Sequence, residues 1–120
     1  MISYYKLNGD GSTTPTDDML EAWDSDRRIR RETVQAFERP WGLARLLRGG
    51  KPYEADVSTV FLVVDHSFGF GGRPMLFETM VFGGPYDQEC ERTSTIEEAC
   101  AVHARVVVAL RNGRNPWGDV

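Results

Sequence analysis

Little in this chain points to a protein held together by staples, metal or membrane. Only two cysteines occur among its 120 residues, Cys90 and Cys100. Their spacing matches neither a CxxC redox site nor a paired zinc knuckle, so two reduced thiols are expected. Histidine is equally scarce: His66 and His103 stand alone, and no HxH or HExxH spacing involves them. Zinc accepts a set such as His66, His103 and the carboxylates of Asp65 and Glu78, but without local ligand spacing neither a metal nor a cofactor is assigned. No apolar run approaches the roughly 18 residues of a membrane span. The opening MISYYKLNGDG lacks the basic segment and apolar run of a signal peptide. The expectation is a cytoplasmic protein. Positive charge is also in deficit, with 14 Lys and Arg against 18 Asp and Glu, a net charge of -4. That balance argues against sequence-independent nucleic-acid binding, which needs a cationic surface to displace counterions. There is no internal repeat, no low-complexity tract and no complete catalytic motif.

What is present is ordinary globular material. Apolar residues make up 41% and charged residues 27%, and 120 residues suffice for one domain with its own core. Residues 113–120 are expected to form a flexible tail on which Trp117 offers a ring to dock. Ile2 to Leu7 is rich in β-formers and stops at the turn signal Asn8-Gly9-Asp10-Gly11. A short helix is expected next, with Thr16 as N-cap, Asp17 and Asp18 in its first turn, and an apolar side of Met19, Leu20 and Trp23. Arg28 to Phe37 fits a strand better than a helix. Pro40 to Gly50 reads as a short amphipathic helix or structured loop. Ser94 to Asn112 carries a capping box, either Ser94 with Glu97 or Thr95 with Glu98. An apolar stripe then runs through Ile96, Ala99, Val102, Val106, Ala109 and Leu110. These elements predict an α+β domain: an antiparallel sheet of three or four strands, a central hairpin, and the long C-terminal helix across one face.

That central hairpin, VFLVVDHSFGFGGRPMLFETMVFGG from Val60 to Gly84, is the most suggestive stretch. Strands are expected over Val57 to Asp65 and Met75 to Phe82. Side chains alternate along a strand, so Asp65 shares a face with Val57, Thr59, Phe61 and Val63, and His66 takes the other. Glu78 shares its face with Leu76, Met80 and Phe82. If Asp65 pairs with Leu76, Asp65 and Glu78 form a carboxylate pair; if His66 pairs with Leu76, Glu78 meets an imidazole. A Glu flanked by apolar residues needs a partner or water, because desolvating a lone carboxylate costs several kcal/mol. Arg28 or Arg30 is the other candidate partner. Asp65, His66, Glu78 and His103 are thus the candidates for general acid-base work, with no catalytic role committed.

Recognition is expected elsewhere on the surface. The loop Ser67 to Pro74 lacks the Lys-Ser/Thr of a phosphate cradle and joins strand to strand. Its Phe68, Phe70 and Arg73 are residue types that dominate binding hot spots. Arg27-Arg28-Ile29-Arg30-Arg31 offers guanidinium groups, Arg28 and Arg30 among them, to an anion. Asp24, Asp26 and Glu32 surround the cluster and compensate it.

At VSTVFLVVDHSFG, PMLFETMVFGG and RTSTIEEACAVH the chain resembles a group of small proteins encoded in phage and prophage genomes. Their pattern runs VSTVFLxxDHxFG, then PxLFETMVFGG, then RxSTxxEAxxxH, and about half of the chain takes part. The resemblance implies an accessory protein of replication, host takeover or anti-defence. It brings no catalytic residues, but it ties Asp65, His66, Glu78 and His103 into one pattern and so implies that they meet in space. The leading expectation is a non-enzymatic binding protein that occupies a host protein or sequesters a small anionic, nucleotide-like ligand. The rival is a small hydrolase or metal-dependent enzyme using His66, Asp65 and Glu78. A third reading is an oligomer subunit, a homodimer through an exposed sheet edge or the Trp117 tail.

Overall fold

The computed structural model describes residues 4–23, 27–38, 51–65 and 72–118. His66, Phe68, Phe70 and the helix or loop expected over Pro40 to Gly50 lie outside the described residues. The chain begins with an antiparallel hairpin of β1 (Tyr4–Leu7) and β2 (Thr13–Thr16), joined at the expected Asn-Gly-Asp-Gly turn. Strand β2 is an addition to the sequence reading. Its Thr13–Thr16 looks like the lead into a helix, yet a two-stranded edge accommodates Pro15 without losing a ladder bond. Helix α1 (Met19–Trp23) is consequently capped two residues later than expected. Asp18 Oδ1 accepts from the amides of Leu20 and Glu21 at 3.0 and 3.3 Å, while Thr16 Oγ1 accepts from the Asp18 amide.

The main sheet is a four-stranded antiparallel meander of β3 (Arg28–Glu38), β4 (Lys51–Phe61), β5 (Phe77–Phe82) and β6 (Cys90–Thr93), in that spatial order. Helix α2 (Ile96–Arg111) closes the chain of elements, and Thr95 with Glu98 forms its capping box. The α+β class, the central β4–β5 pair and the helix on one face are as the sequence predicts. Ala99, Val102, His103, Val106, Val107 and Leu110 form the buried stripe of α2, and each Val or Leu so buried contributes roughly 1.5–3 kcal/mol. One apolar cluster joins this stripe to Val34, Ala36, Ala55, Val57 and Val81. A second, at the other end of the same sheet face, joins Phe61, Val63, Leu76 and Phe77 to Ala22 and Ala99 under the β1–β2 hairpin. Beyond α2, Pro116 is buried and Trp117 packs on the first cluster.

Both expected hairpin registers are overturned. Phe61 pairs with Phe77 and Thr59 with Thr79, and the Leu62 amide donates to the Leu76 carbonyl at 2.7 Å. Leu76 therefore lies opposite Leu62, not Asp65 or His66. This register puts Val57, Thr59 and Phe61 on the same buried face as Phe77, Thr79 and Val81, the largest apolar burial the alternation allows. The strand also ends earlier than expected, at Phe61, because β1 claims the backbone beyond it. The Tyr5 amide donates to the Val63 carbonyl at 2.7 Å and Tyr4 bridges Val64. Val63 is fully buried with φ at 71°, a conformation that costs a β-branched residue about 1–3 kcal/mol and breaks the alternation before Asp65. At the far end of β5, Gly84 turns the chain with φ at +76°, where an added Cβ would run into the Tyr53 ring.

Candidate functional site

Between the two apolar clusters runs a row of polar side chains. His103 projects from the buried stripe of α2 and is 1% exposed. Its Nδ1 lies 2.8 Å from Thr59 Oγ1, which lies 2.7 Å from Thr79 Oγ1; its Nε2 lies 2.8 Å from Glu32 Oε1. An ionised carboxylate only accepts, so Nε2 carries the proton, and in the neutral ring Nδ1 accepts from the Thr59 hydroxyl, which in turn accepts from Thr79. Arg30 Nε approaches the same Glu32 oxygen at 3.2 Å, and Arg111 stands 4.0 Å from the other. Hydroxyl, imidazole and carboxylate follow one another as in an activated nucleophile. However, Thr59 and Thr79 are 0% and 1% exposed, so no reacting group reaches either hydroxyl. The row is instead a fully paired polar layer tying α2 to three strands.

The expected convergence of Asp65, Glu78 and His103 does not occur. Glu78 is one residue from Thr79, so it projects from the opposite face of the sheet to His103. There it pairs with Arg92 Nε of the neighbouring strand at 3.0 Å, rather than with Arg28 or Arg30. Asp65 Oδ1 accepts from the Met75 amide at 2.9 Å and so braces the ends of the connecting loop. Arg73, expected at a recognition tip, pairs with Glu98 of the capping box. Among the described residues no group of three His, Cys, Asp or Glu side chains is placed to hold a metal ion.

The arginine cluster, by contrast, lines a concave surface. A groove of about 890 Å³ runs beside the start of β3, walled by Trp23, Arg27, Arg28, Arg30 and Arg31 and floored by Val60 and Leu62. Met19, Leu20 and Trp23, expected as the buried side of α1, are 48, 76 and 45% exposed; a five-residue helix at the sheet's end buries only Ala22. Exposure leaves the Trp23 ring available, with the Arg27 guanidinium stacked 4.1 Å from its centroid. A bulge between Arg28 and Arg30 shifts the β3–β4 register, so arginines close in sequence diverge. Arg30 turns to Glu32 on the helix side, and Arg31 donates to Asp56 at 3.0 Å on the other. The Thr33 hydroxyl first, and the Arg31 guanidinium second, hold the Asp56 carboxyl below the usual aspartate range. Glu32 does compensate the cluster as expected; Asp24 and Asp26 lie outside the described residues.

Trp23 as a binding residue and the pair Thr59 and Thr79 were not singled out by sequence reasoning, whereas Arg27 and Glu32 stood in the cluster it named. Thr59 and Thr79 carried a signal: each is a polar residue at a core-facing strand position between apolar neighbours, and such positions require a polar partner from the covering helix. Among the helix's buried stripe, His103 is the residue that supplies it. No protein-family model matches this chain, and no curated protein or solved structure does either.

Proposed function

We propose that the protein is a non-enzymatic binding protein that takes up a small anionic ligand with a flat ring, of the nucleotide class, in the Trp23–arginine groove. The observation that carries this reading is an exposed indole with the Arg27 guanidinium stacked on it, in a concavity that Arg28, Arg30 and Arg31 also line. Indole faces stack on flat rings, and guanidinium groups bind phosphate oxygens in bidentate fashion. Ile29, Val60 and Leu62 add apolar wall and floor for a ring or sugar edge. The net charge of -4 does not oppose a small ligand, because Arg27 and Arg28 bring positive charge to the groove even though Arg30 and Arg31 are offset by Glu32 and Asp56. The resemblance to phage and prophage proteins supports placing such a binder among accessory functions of host takeover or anti-defence. A hydrolase working through Asp65, His66 and Glu78 has less support, since Arg92 closes Glu78 and the Met75 amide occupies Asp65.

Titration with ATP, AMP and inorganic pyrophosphate, followed by calorimetry and indole fluorescence, tests the reading. ATP is expected to bind with quenching, more tightly than AMP, and to weaken at least tenfold in Trp23→Ala and Arg27→Ala and as salt is raised. Absence of binding at millimolar ATP, or binding indifferent to both substitutions, overturns it.

A further inference from the structure

Strand β3 is an edge: among the described residues no strand lies on the side of β3 away from β4. It runs for 11 residues and contains no proline, so it presents a row of backbone donors and acceptors about as long as the sheet itself. Natural edges are commonly shielded by short strands, bulges or dense like charge. Here the bulge lies at the first residues only, between Arg28 and Arg30, and the charges are not alike. Arg28, Arg30 and Arg31 occupy one end and Glu38 the other.

We propose that the partner for this edge is a second copy of the same chain, paired antiparallel through β3 about a two-fold axis at Val34. Charge selects that register. Directly opposed residues of an antiparallel pair share a face, and like charges there are destabilising. An axis at Arg31 or Glu32 would oppose that residue to its own copy, one at Gln35 would set Glu32 against Glu38, and one at Thr33 would leave Glu38 opposite Arg28, which the bulge throws out of register. With Val34 on the axis, Arg30 faces Glu38 of the partner subunit twice over, by symmetry. Arg31 then faces the partner's Phe37 and Glu32 the partner's Ala36. Arg30 and Glu38 both project from the helix-bearing face and are both exposed, so the pair forms without desolvating a buried charge. Glu38 already lies opposite Lys51 within its own sheet and would become an acceptor between two cations. The product is a continuous eight-stranded antiparallel sheet with an α2 helix from each copy on one face.

Light scattering during size exclusion, over a range of protein concentrations, tests this. The wild-type chain is expected at twice its monomer mass. Arg30→Glu and Glu38→Arg are each expected to shift to monomer, and their 1:1 mixture to return to dimer. Both substitutions in one chain should restore the homodimer with reversed charges. Circular dichroism checks that each variant is folded, and hydrogen exchange on the wild-type chain provides a readout free of substitution: β3 amides should slow as concentration rises. A wild-type chain that stays monomeric at millimolar concentration, a dimer insensitive to both single substitutions, or β3 exchange independent of concentration overturns the proposal. Failure here leaves the groove reading intact, because ATP titration of Glu38→Arg addresses the groove without the interface.

Discussion

The two faces of the β4–β5 pair handle polar side chains in opposite ways. On the helix side, Thr59, Thr79, His103 and Glu32 form a sealed row in which each group depends on its neighbour. On the far side, Glu78 with Arg92 and Asp56 with Arg31 are ion pairs whose arginines reach water, though the Glu78 side chain itself is only 14% exposed. Neighbouring residues of one strand, Glu78 and Thr79, thus fall under different energetics. Inside, an unmade hydrogen bond costs the full desolvation of the orphaned group; outside, water replaces whatever partner is lost. The more reactive-looking residue, Glu78, answers to a single arginine that reaches water. The inconspicuous threonines occupy the more demanding environment.

Removing the hub of the sealed row should have the largest effect. His103→Leu fills a similar volume but removes the acceptor of the Thr59 hydroxyl and one of the partners of the Glu32 carboxylate, and should cost about 2–4 kcal/mol in urea unfolding. Thr59→Val keeps shape and removes both hydroxyl bonds, leaving Thr79 and His103 Nδ1 without their shared partner; about 1–3 kcal/mol is expected. If the row were an exposed network, both substitutions would fall well under 1 kcal/mol. On the far face, a double-mutant cycle of Glu78→Gln and Arg92→Gln should give a coupling of about 1 kcal/mol, because Arg92 is partly exposed while Glu78 is mostly buried. Trp23→Ala and Arg27→Ala should alter stability by less than about 1 kcal/mol while abolishing ATP-induced quenching, because the groove is surface.

The smallest effect is in pH. Hydrogen bonding from Thr33 and Arg31 lowers the Asp56 pKa in the folded state. A depressed carboxyl contributes stability that is present above the unfolded aspartate pKa of about 3.9 and is lost as pH falls through the lower folded value. Asp56→Asn should therefore flatten the acid limb of the stability curve and leave the neutral region nearly unchanged. Thiol labelling gives a parallel contrast. Burial, and then the Glu78 charge, push the Cys90 thiol pKa up, whereas Cys100 is exposed. Cys100 should react first with a disulfide reagent at neutral pH.

The architecture was largely legible in the residues. A capping box at Ser94 or Thr95, the apolar stripe behind it, the strand at Arg28 and the central strand pair follow from short-range chemistry that operates within a few residues. The missed strands, Thr13–Thr16 and Cys90–Thr93, are four residues each and carry little propensity of their own; pairing partners define them. The candidate site was less legible. The shared motif pattern tied Glu78 to His103, yet register and parity set them on opposite faces.

The sequence by itself determined the class of fold, that a long helix starts from a capping box near Ser94 or Thr95, and which strand residues share a face, since these depend on dihedral preference and on alternation within one segment. Tertiary structure alone decided that Leu76 opposes Leu62, that Val63 breaks the strand, and that Thr59 and Thr79 meet His103. It also decided that Trp23 stays exposed beside four arginines. Each of those outcomes depends on which distant segment arrives at a backbone or side-chain group first in space. No residue encodes that contest alone, because its outcome is set by the summed burial of the whole sheet face.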